Sequence, residues 1–199
     1  MRILALDLSK SCTGFAIWHP GWEMARLGNW RLGGEYSSNG DVFAKLQSNL
    51  HDLLNTIGFD KIFWEQKINP QNLAGITSAQ TVSLMGGLEA HVESFGSVFR
   101  IPGRAISVSS WRADFVGRDE IGEIRKAVRV ESKARGKKIS ATDSLKAATM
   151  ARARQLGFTP RKQDEADALG ILDYQMGLEK IIAPWRLNET LRASMQVRK

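Results

Sequence analysis

The chain opens on a short apolar run, Ile3-Leu4-Ala5-Leu6, that ends in an acid, Asp7. Bounded by the turn material Ser9-Lys10-Ser11, it reads as a buried strand from Arg2 to Leu8. Gly14-Phe15-Ala16-Ile17-Trp18 reads as its hairpin partner, and a third strand lies within Met24 to Leu32, before the Gly33-Gly34 break. Val42, Leu46, Leu50, Leu53, Leu54 and Ile57 then recur on one helical stripe, which Gly58 stops. Lys61-Ile62-Phe63-Trp64 reads as a strand that delivers Glu65 at its end. Thr77 to Phe95 predicts a second helix, in which Gly86-Gly87 lets a neighbour approach closely. Val98 to Ile101 and Ala105 to Val108 read as a strand and its continuation around Pro102-Gly103. Thr142 to Leu156 follows as a helix capped by Thr142 and ended by Gly157, and Asp164 to Leu178 as the last helix. Three early strands followed by alternating helices and strands predict an α/β fold with helices on both faces of a sheet.

Composition narrows the class without naming a function. With 43% apolar residues among 199, the chain has enough apolar material for an ordinary core. No apolar run reaches the roughly 20 residues of a membrane span, and Asp7 interrupts the N-terminal run too early for a secretory signal. The single cysteine, Cys12, excludes an internal disulfide and a multi-cysteine zinc site, so a reducing cytoplasm is the expected setting. The formal charge of +7 is concentrated. Between Arg125 and Lys138 stand seven bases, Arg125, Lys126, Arg129, Lys133, Arg135, Lys137 and Lys138, against one acid, Glu131. So dense a run stays exposed, either as a plain solvated helix or loop or as an arm that contacts phosphates.

Four carboxylates stand where structural residues are expected. Asp7 and Glu65 each end an apolar strand, and Asp164 and Asp167, three apart, project from one helix face. Each has an ordinary explanation alone: a turn former, an ion pair with Lys61 or Lys67, a helix cap, a surface residue. One arrangement explains all four. Functional groups of an α/β sheet gather at the carboxyl ends of adjacent strands, and a helix beginning at Asp164 can lay two more acids against that edge. Four acids so placed raise one another's pKa unless a cation intervenes. A purely oxygen donor set favours Mg²⁺, with Mn²⁺ able to substitute, and two such ions about 4 Å apart suit in-line phosphodiester displacement.

The segments Ile3-Leu4-Ala5-Leu6-Asp7 with Thr13-Gly14-Phe15, Phe63-Trp64-Glu65-Gln66, and Asp164-Glu165-Ala166-Asp167-Ala168-Leu169 resemble the RuvC family, most closely its phage-encoded branch. These are Holliday-junction resolvases of the RNase H-like superfamily. The resemblance runs from residue 2 to about 178 and implies an RNase H-like mixed sheet of about five strands. It implies a nuclease domain over 1–180, with a basic insertion at 118–139, and a basic tail at 181–199. It further implies a homodimeric endodeoxyribonuclease in the cytoplasm, that of the host if phage-encoded, with two Mg²⁺ ions per site, making paired nicks in four-way DNA junctions. Asp7, Glu65, Asp164 and Asp167 match the family's catalytic, metal-binding acids. Arg112 and, more loosely, Lys146 match bases near the junction, and the helix around Thr77 to Phe95 matches the dimer surface. Ile68 stands where the family often has an aromatic wedge, which puts structure selectivity in question.

Other residues are weighed on their own chemistry. Trp18 and Trp64 lie in strand-like runs and read as core, whereas Trp111, among polar neighbours, is a candidate for base stacking. Ser9 and Lys10 form a turn able to meet a phosphate. His19, His51 and His91 lack ligand spacing. Leu187, Leu191 and Met195 form a stripe expected to pack on the domain, with Arg192, Arg198 and Lys199 as further phosphate contacts. Three rivals remain: a broader branched-DNA or flap endonuclease, a non-catalytic DNA-binding scaffold, and an actin-like ATPase or kinase. The last lacks a second half and an adenosine-binding segment; the scaffold is disfavoured because no acid is missing.

Overall fold

The structure is a computed structural model, and it describes residues 1–66 and 78–187. Five strands form one mixed sheet: β1 (Ile3–Asp7), β2 (Thr13–Trp18), β3 (Arg26–Trp30), β4 (Lys61–Glu65) and β5 (Gly103–Ile106). Their spatial order is β3-β2-β1-β4-β5, with β2 antiparallel to β1 and β3, and β4 parallel to β1 and β5. Among the described residues, helices α1 (Asn39–Thr56), α2 (Ala79–Phe99), α3 (Val108–Phe115), α4 (Arg118–Ala134), α5 (Thr142–Gln155) and α6 (Gln163–Leu178) accompany them. The expected α/β sheet with helices on both faces is present.

Alternation of side chains divides the core in two. Ile3, Ala5, Ala16, Trp18 and Phe63 face one side and pack with α6, while Leu4, Leu6, Ile17, Ile62 and Trp64 face the other and pack with α1 and α2. The α1 stripe buries Val42, Leu46 and Leu50 completely, and Ser38 closes a capping box with Asp41 before it. Burying strands on both faces explains why β1 is apolar at four consecutive positions. Helix α6 is buried around nearly its whole circumference from Glu165 to Met176, so its sequence shows little amphipathic contrast.

Several expectations change. Val98 is not in a strand: α2 continues through Phe99, whose ring lies 4.5 Å from that of Phe95, and Arg100 ends the helix in a left-handed conformation. The strand beyond it is Gly103–Ile106 alone. Thr142 is the first residue of α5, not its cap; its N–H donates to the Ser140 hydroxyl. Of the two glycines in α2, Gly87 receives the Phe43 ring, whereas Gly86 faces open space. Trp18 and Trp64 are buried. Trp111, the stacking candidate, is fully buried too. Its ring lies where a side chain on Gly170 of α6 would be, 2.6 Å from the position of a Cβ there, so no base can reach it.

The chain beyond α6 is partly integral to the fold. Trp185 is buried, its indole N–H donating to Asp173 at 2.8 Å, and Arg186 pairs with both Asp173 and Asp114. Leu187, expected to pack, is instead exposed, because the preceding turn already directs Trp185 inward. Leu191, Met195, Arg192, Arg198, Lys199 and the wedge position Ile68 lie outside the described residues.

Candidate active site at the carboxyl edge of the sheet

Strand parity decides where the acids go. Asp7 follows Ile3 and Ala5 on the face covered by α6, and Glu65 follows Phe63 on that same face. β1 and β4 are parallel neighbours in register at Leu6 and Trp64, so their terminal acids emerge side by side. Helix α6 starts against this edge, and one contact fixes where. A Cβ on Gly14, which pairs with Asp7, would lie 2.0 Å from the Asp164 carbonyl oxygen. Only glycine lets the hairpin and the first turn of α6 touch backbone to backbone.

Around that contact lies a cleft of about 620 Å³ whose lining includes Asp7, Glu65, Asp164 and Asp167. Asp7 and Asp167 are buried, at 8% and 3% exposure, and Glu65 and Asp164 half-buried. The simpler roles fail for two of them. For Glu65, Lys61 is engaged by Glu179 at 2.6 Å, and Lys67 lies outside the described residues. The position before α6 is Lys162, so Asp164 is inside the first turn and not the cap; Asp167 is not on the surface.

The cleft also carries positive charge. Arg112 of α3 reaches Asp167 at 3.5 Å, and Lys146 of α5 lines the same wall. The Arg112 guanidinium rests over the Trp111 ring at 4.5 Å, so the buried tryptophan positions the arginine. Burial nevertheless pushes the Asp167 carboxyl up to about 6; Arg112 and Lys146 oppose the rise, and Glu65 and Asp164 add to it. Burial prevails because the 3.5 Å approach to Arg112 is long for a charged hydrogen bond.

Other sequence candidates divide. Ser9 lines the cleft, but its hydroxyl is held in the hairpin turn by Cys12, accepting from the amide at 3.0 Å and donating to the carbonyl at 2.8 Å. The Lys10 ammonium donates to the carbonyls of Ser37 and Glu35 and so ties the loop before α1. Arg125, Lys126, Arg129, Lys133, Arg135, Lys137 and Lys138 are all exposed, on α4 and the turn after it, outside the cleft lining.

Three contributors were not singled out from the sequence. Glu89 of α2 brings another carboxylate to the cleft wall. Glu165, between the two helix acids, is buried and accepts from the Asn29 amide at 2.5 Å and the Arg161 N–H at 2.7 Å, fastening α6 to β3. The Cys12 thiol is pushed up to about 11, chiefly by burial and then by its hydrogen bond to Asp164. Only Glu165 left a trace in the sequence, as an acid standing between Asp164 and Asp167 at the start of α6.

Among the described residues, no three acidic, histidine or cysteine side chains are drawn together as a ready metal-ligand group. The donor set is nonetheless chemically apt for a hard divalent cation. It consists of carboxylate oxygens, and one of them is held against ionisation by burial and by like charges nearby.

No protein-family model and no curated protein matches this chain. Solved structures do. RuvC of Thermus thermophilus aligns with a TM-score of 0.57 at 13% identity, covering 89% of this chain and 97% of that one. The T. thermophilus RuvC solved in complex with a Holliday junction substrate aligns at 0.56 and 14%, covering 86% and 90%. The fold is RuvC-like. The yeast mitochondrial Holliday junction resolvase Ydc2 is a more distant structural match, with a TM-score of 0.48 at 15% identity over 93% of this chain and 78% of that one. Among the described residues, this RuvC-like chain has no helix long and apolar enough to cross a membrane.

Proposed function

We propose that this protein is a structure-selective endodeoxyribonuclease that resolves four-way DNA junctions by Mg²⁺-dependent phosphodiester hydrolysis. The observation that carries the reading is the lining of one cleft by Asp7, Glu65, Asp164 and Asp167, from three distant stretches of chain, at the carboxyl edge of a RuvC-like sheet. The RuvC structure bound to a junction substrate supports the choice of branched DNA.

In this reading the four acids hold divalent cations, which, when bound, supply a nucleophilic hydroxide at neutral pH and stabilise the leaving oxygen. The chain's own residues do the rest. Arg112 and Lys146, which line the same cleft, neutralise and orient the scissile phosphate. Gly14 and Glu165 fix the first turn of α6, which keeps Asp164 and Asp167 in the lining of the cleft that Asp7 also lines. A bound cation would offset the like charges of these carboxylates.

Paired nicking requires two cleavage centres, and α2 offers a surface for a homodimer. Its exposed positions Ala79, Ser83, Gly86, Ala90 and Ser94 are small and recur at helical spacing, which permits close approach of a second helix. The exposed bases of α4 and its following turn form a positive surface that attracts DNA.

The test is cleavage of a synthetic four-way junction beside three-way, flap and linear substrates. Asp7→Asn and Glu65→Gln should abolish Mg²⁺-dependent paired nicking while leaving junction binding in place. Nicking at the wild-type rate by either variant excludes the assigned chemistry.

A further inference from the structure

Beside the cleft, and sharing Val108 and Arg112 with it, runs a second groove of about 890 Å³ between α3 and α4. Its walls include Ser109 and Ser110 of α3 and Arg118 and Arg125 of α4. One acid lines it, Asp114, and Arg186 already engages that carboxylate at 2.9 Å.

Helix α4 is sorted by charge around its axis. At 100° per residue, Arg118, Gly122, Arg125 and Arg129 fall within about 60° of one another. That face adjoins the seam where Ile121 and Ile124 pack inward. Asp119, Glu120, Glu123 and Glu131 lie on the remaining circumference, away from the arginine face. A helix built only for solvation intersperses its signs so that acids and bases pair four residues apart. Here, among the described residues, the ion pairs of α4 are Glu123–Lys126 and Glu131–Arg135, and they leave out Arg118, Arg125 and Arg129. Arg125, Arg129 and Lys133 instead follow one another at i, i+4, a like-charge repeat that disfavours the helix until a counter-charge arrives. Gly122 keeps the middle of the stripe open, since nothing lies within 4 Å of where its Cβ would be.

We infer that the α3–α4 groove seats the phosphate backbone of a DNA duplex arm leading out of the cleft. Arg118, Arg125 and Arg129 are its contacts, Lys133 continues their stripe past the groove, and the remaining bases of the run contribute only diffuse charge. The inference rests on the DNA-processing reading above and specifies which surface carries the substrate away from the cut. From Arg118 to Arg129 the helix rises about 16 Å. That is about five phosphates of one strand along a duplex axis, room for three contacts. Arg112, common to both cavities, makes the path continuous with the scissile site.

Salt dependence of binding tests it, because each neutralised phosphate contributes about 0.9 to the slope of log K against log salt. Affinity for a four-way junction is measured by fluorescence anisotropy across a salt series, in an Asp7→Asn background so the substrate stays whole. The triple variant Arg118→Gln, Arg125→Gln, Arg129→Gln should flatten the slope by about 2 to 3. A charge-matched triple, Lys126→Gln, Lys137→Gln, Lys138→Gln, should flatten it by less than about 1. Unchanged thermal unfolding confirms that both remain folded. Equal flattening by the two triples overturns the inference, as does no flattening by the arginine triple. Cleavage by the wild type is a separate readout: a chain that shows this slope pattern but never cuts keeps the groove and loses the nuclease.

Discussion

Replacing Asp167 by asparagine should make the metal-free protein more stable at neutral pH. The carboxyl is 3% exposed, and burial pushes it up from 3.8 to about 6 in the folded state. Between those values the native state binds a proton that the unfolded state has released, so stability falls as pH rises through the window and stays low above it. Just over two pKa units at 1.36 kcal/mol each gives a penalty of about 3 kcal/mol at pH 7 and above. Asparagine never carries it. For a chain of this length the difference corresponds to about 6–12 °C in Tm as an upper limit. Arg112 loses its nearest anion in the variant, which draws the observed gain below that ceiling. The assay is thermal or urea unfolding of both proteins in EDTA from pH 4 to pH 8. The curves should nearly coincide at pH 4 and diverge with the variant above, most steeply near pH 5, midway between the two values. Adding Mg²⁺ should then stabilise the wild type by mass action and leave Asp167→Asn almost unmoved. A variant no more stable than wild type at pH 8 in EDTA, or a gap indifferent to pH, refutes the electrostatic account.

Gly14→Ala forces a methyl group into the Asp164 backbone and should cost about 3 kcal/mol in urea unfolding, with junction cleavage reduced about 100-fold as the two edges of the cleft separate; near-wild-type activity would show that the contact is not needed. Trp111→Ala should lose about 3–5 kcal/mol of stability, the mark of a core residue; a stable variant that merely binds DNA more weakly would restore the stacking role. Asp173→Asn should destabilise by about 3 kcal/mol and expose Trp185 to quenchers, since the buried carboxylate anchors both Trp185 and Arg186; unchanged tryptophan fluorescence would count against that anchor.

What the sequence disclosed, and what it hid, follows from the range of the interactions involved. Asp7 and Glu65 were legible because each interrupts an apolar strand, and strand parity alone then places both on one face. Asp164 and Asp167 were legible through their three-residue spacing. Trp111 misled because its neighbours Ser109, Ser110 and Arg112 are polar, while the residue that makes room for it, Gly170, is far away in the chain. Val98 and Phe99 have strand-forming side chains, but packing of Phe99 on Phe95 and the left-handed turn at Arg100 extend the helix across them. Thr142 is a good capping residue in the abstract, and here Ser140 accepts from its amide. The charge sorting of α4 was invisible in a count of bases, because it depends on which side of the helix packs inward.

Because α6 supplies two of the four carboxylates and meets β1 and β2 across some 150 residues, the cleft comes into being only after that whole stretch has been made. A chain still emerging from the ribosome owns Asp7 and Glu65 long before Asp164 exists. On the proposed reading, every form of the chain made before α6 is inert toward DNA, and the making of that helix doubles as the safety catch.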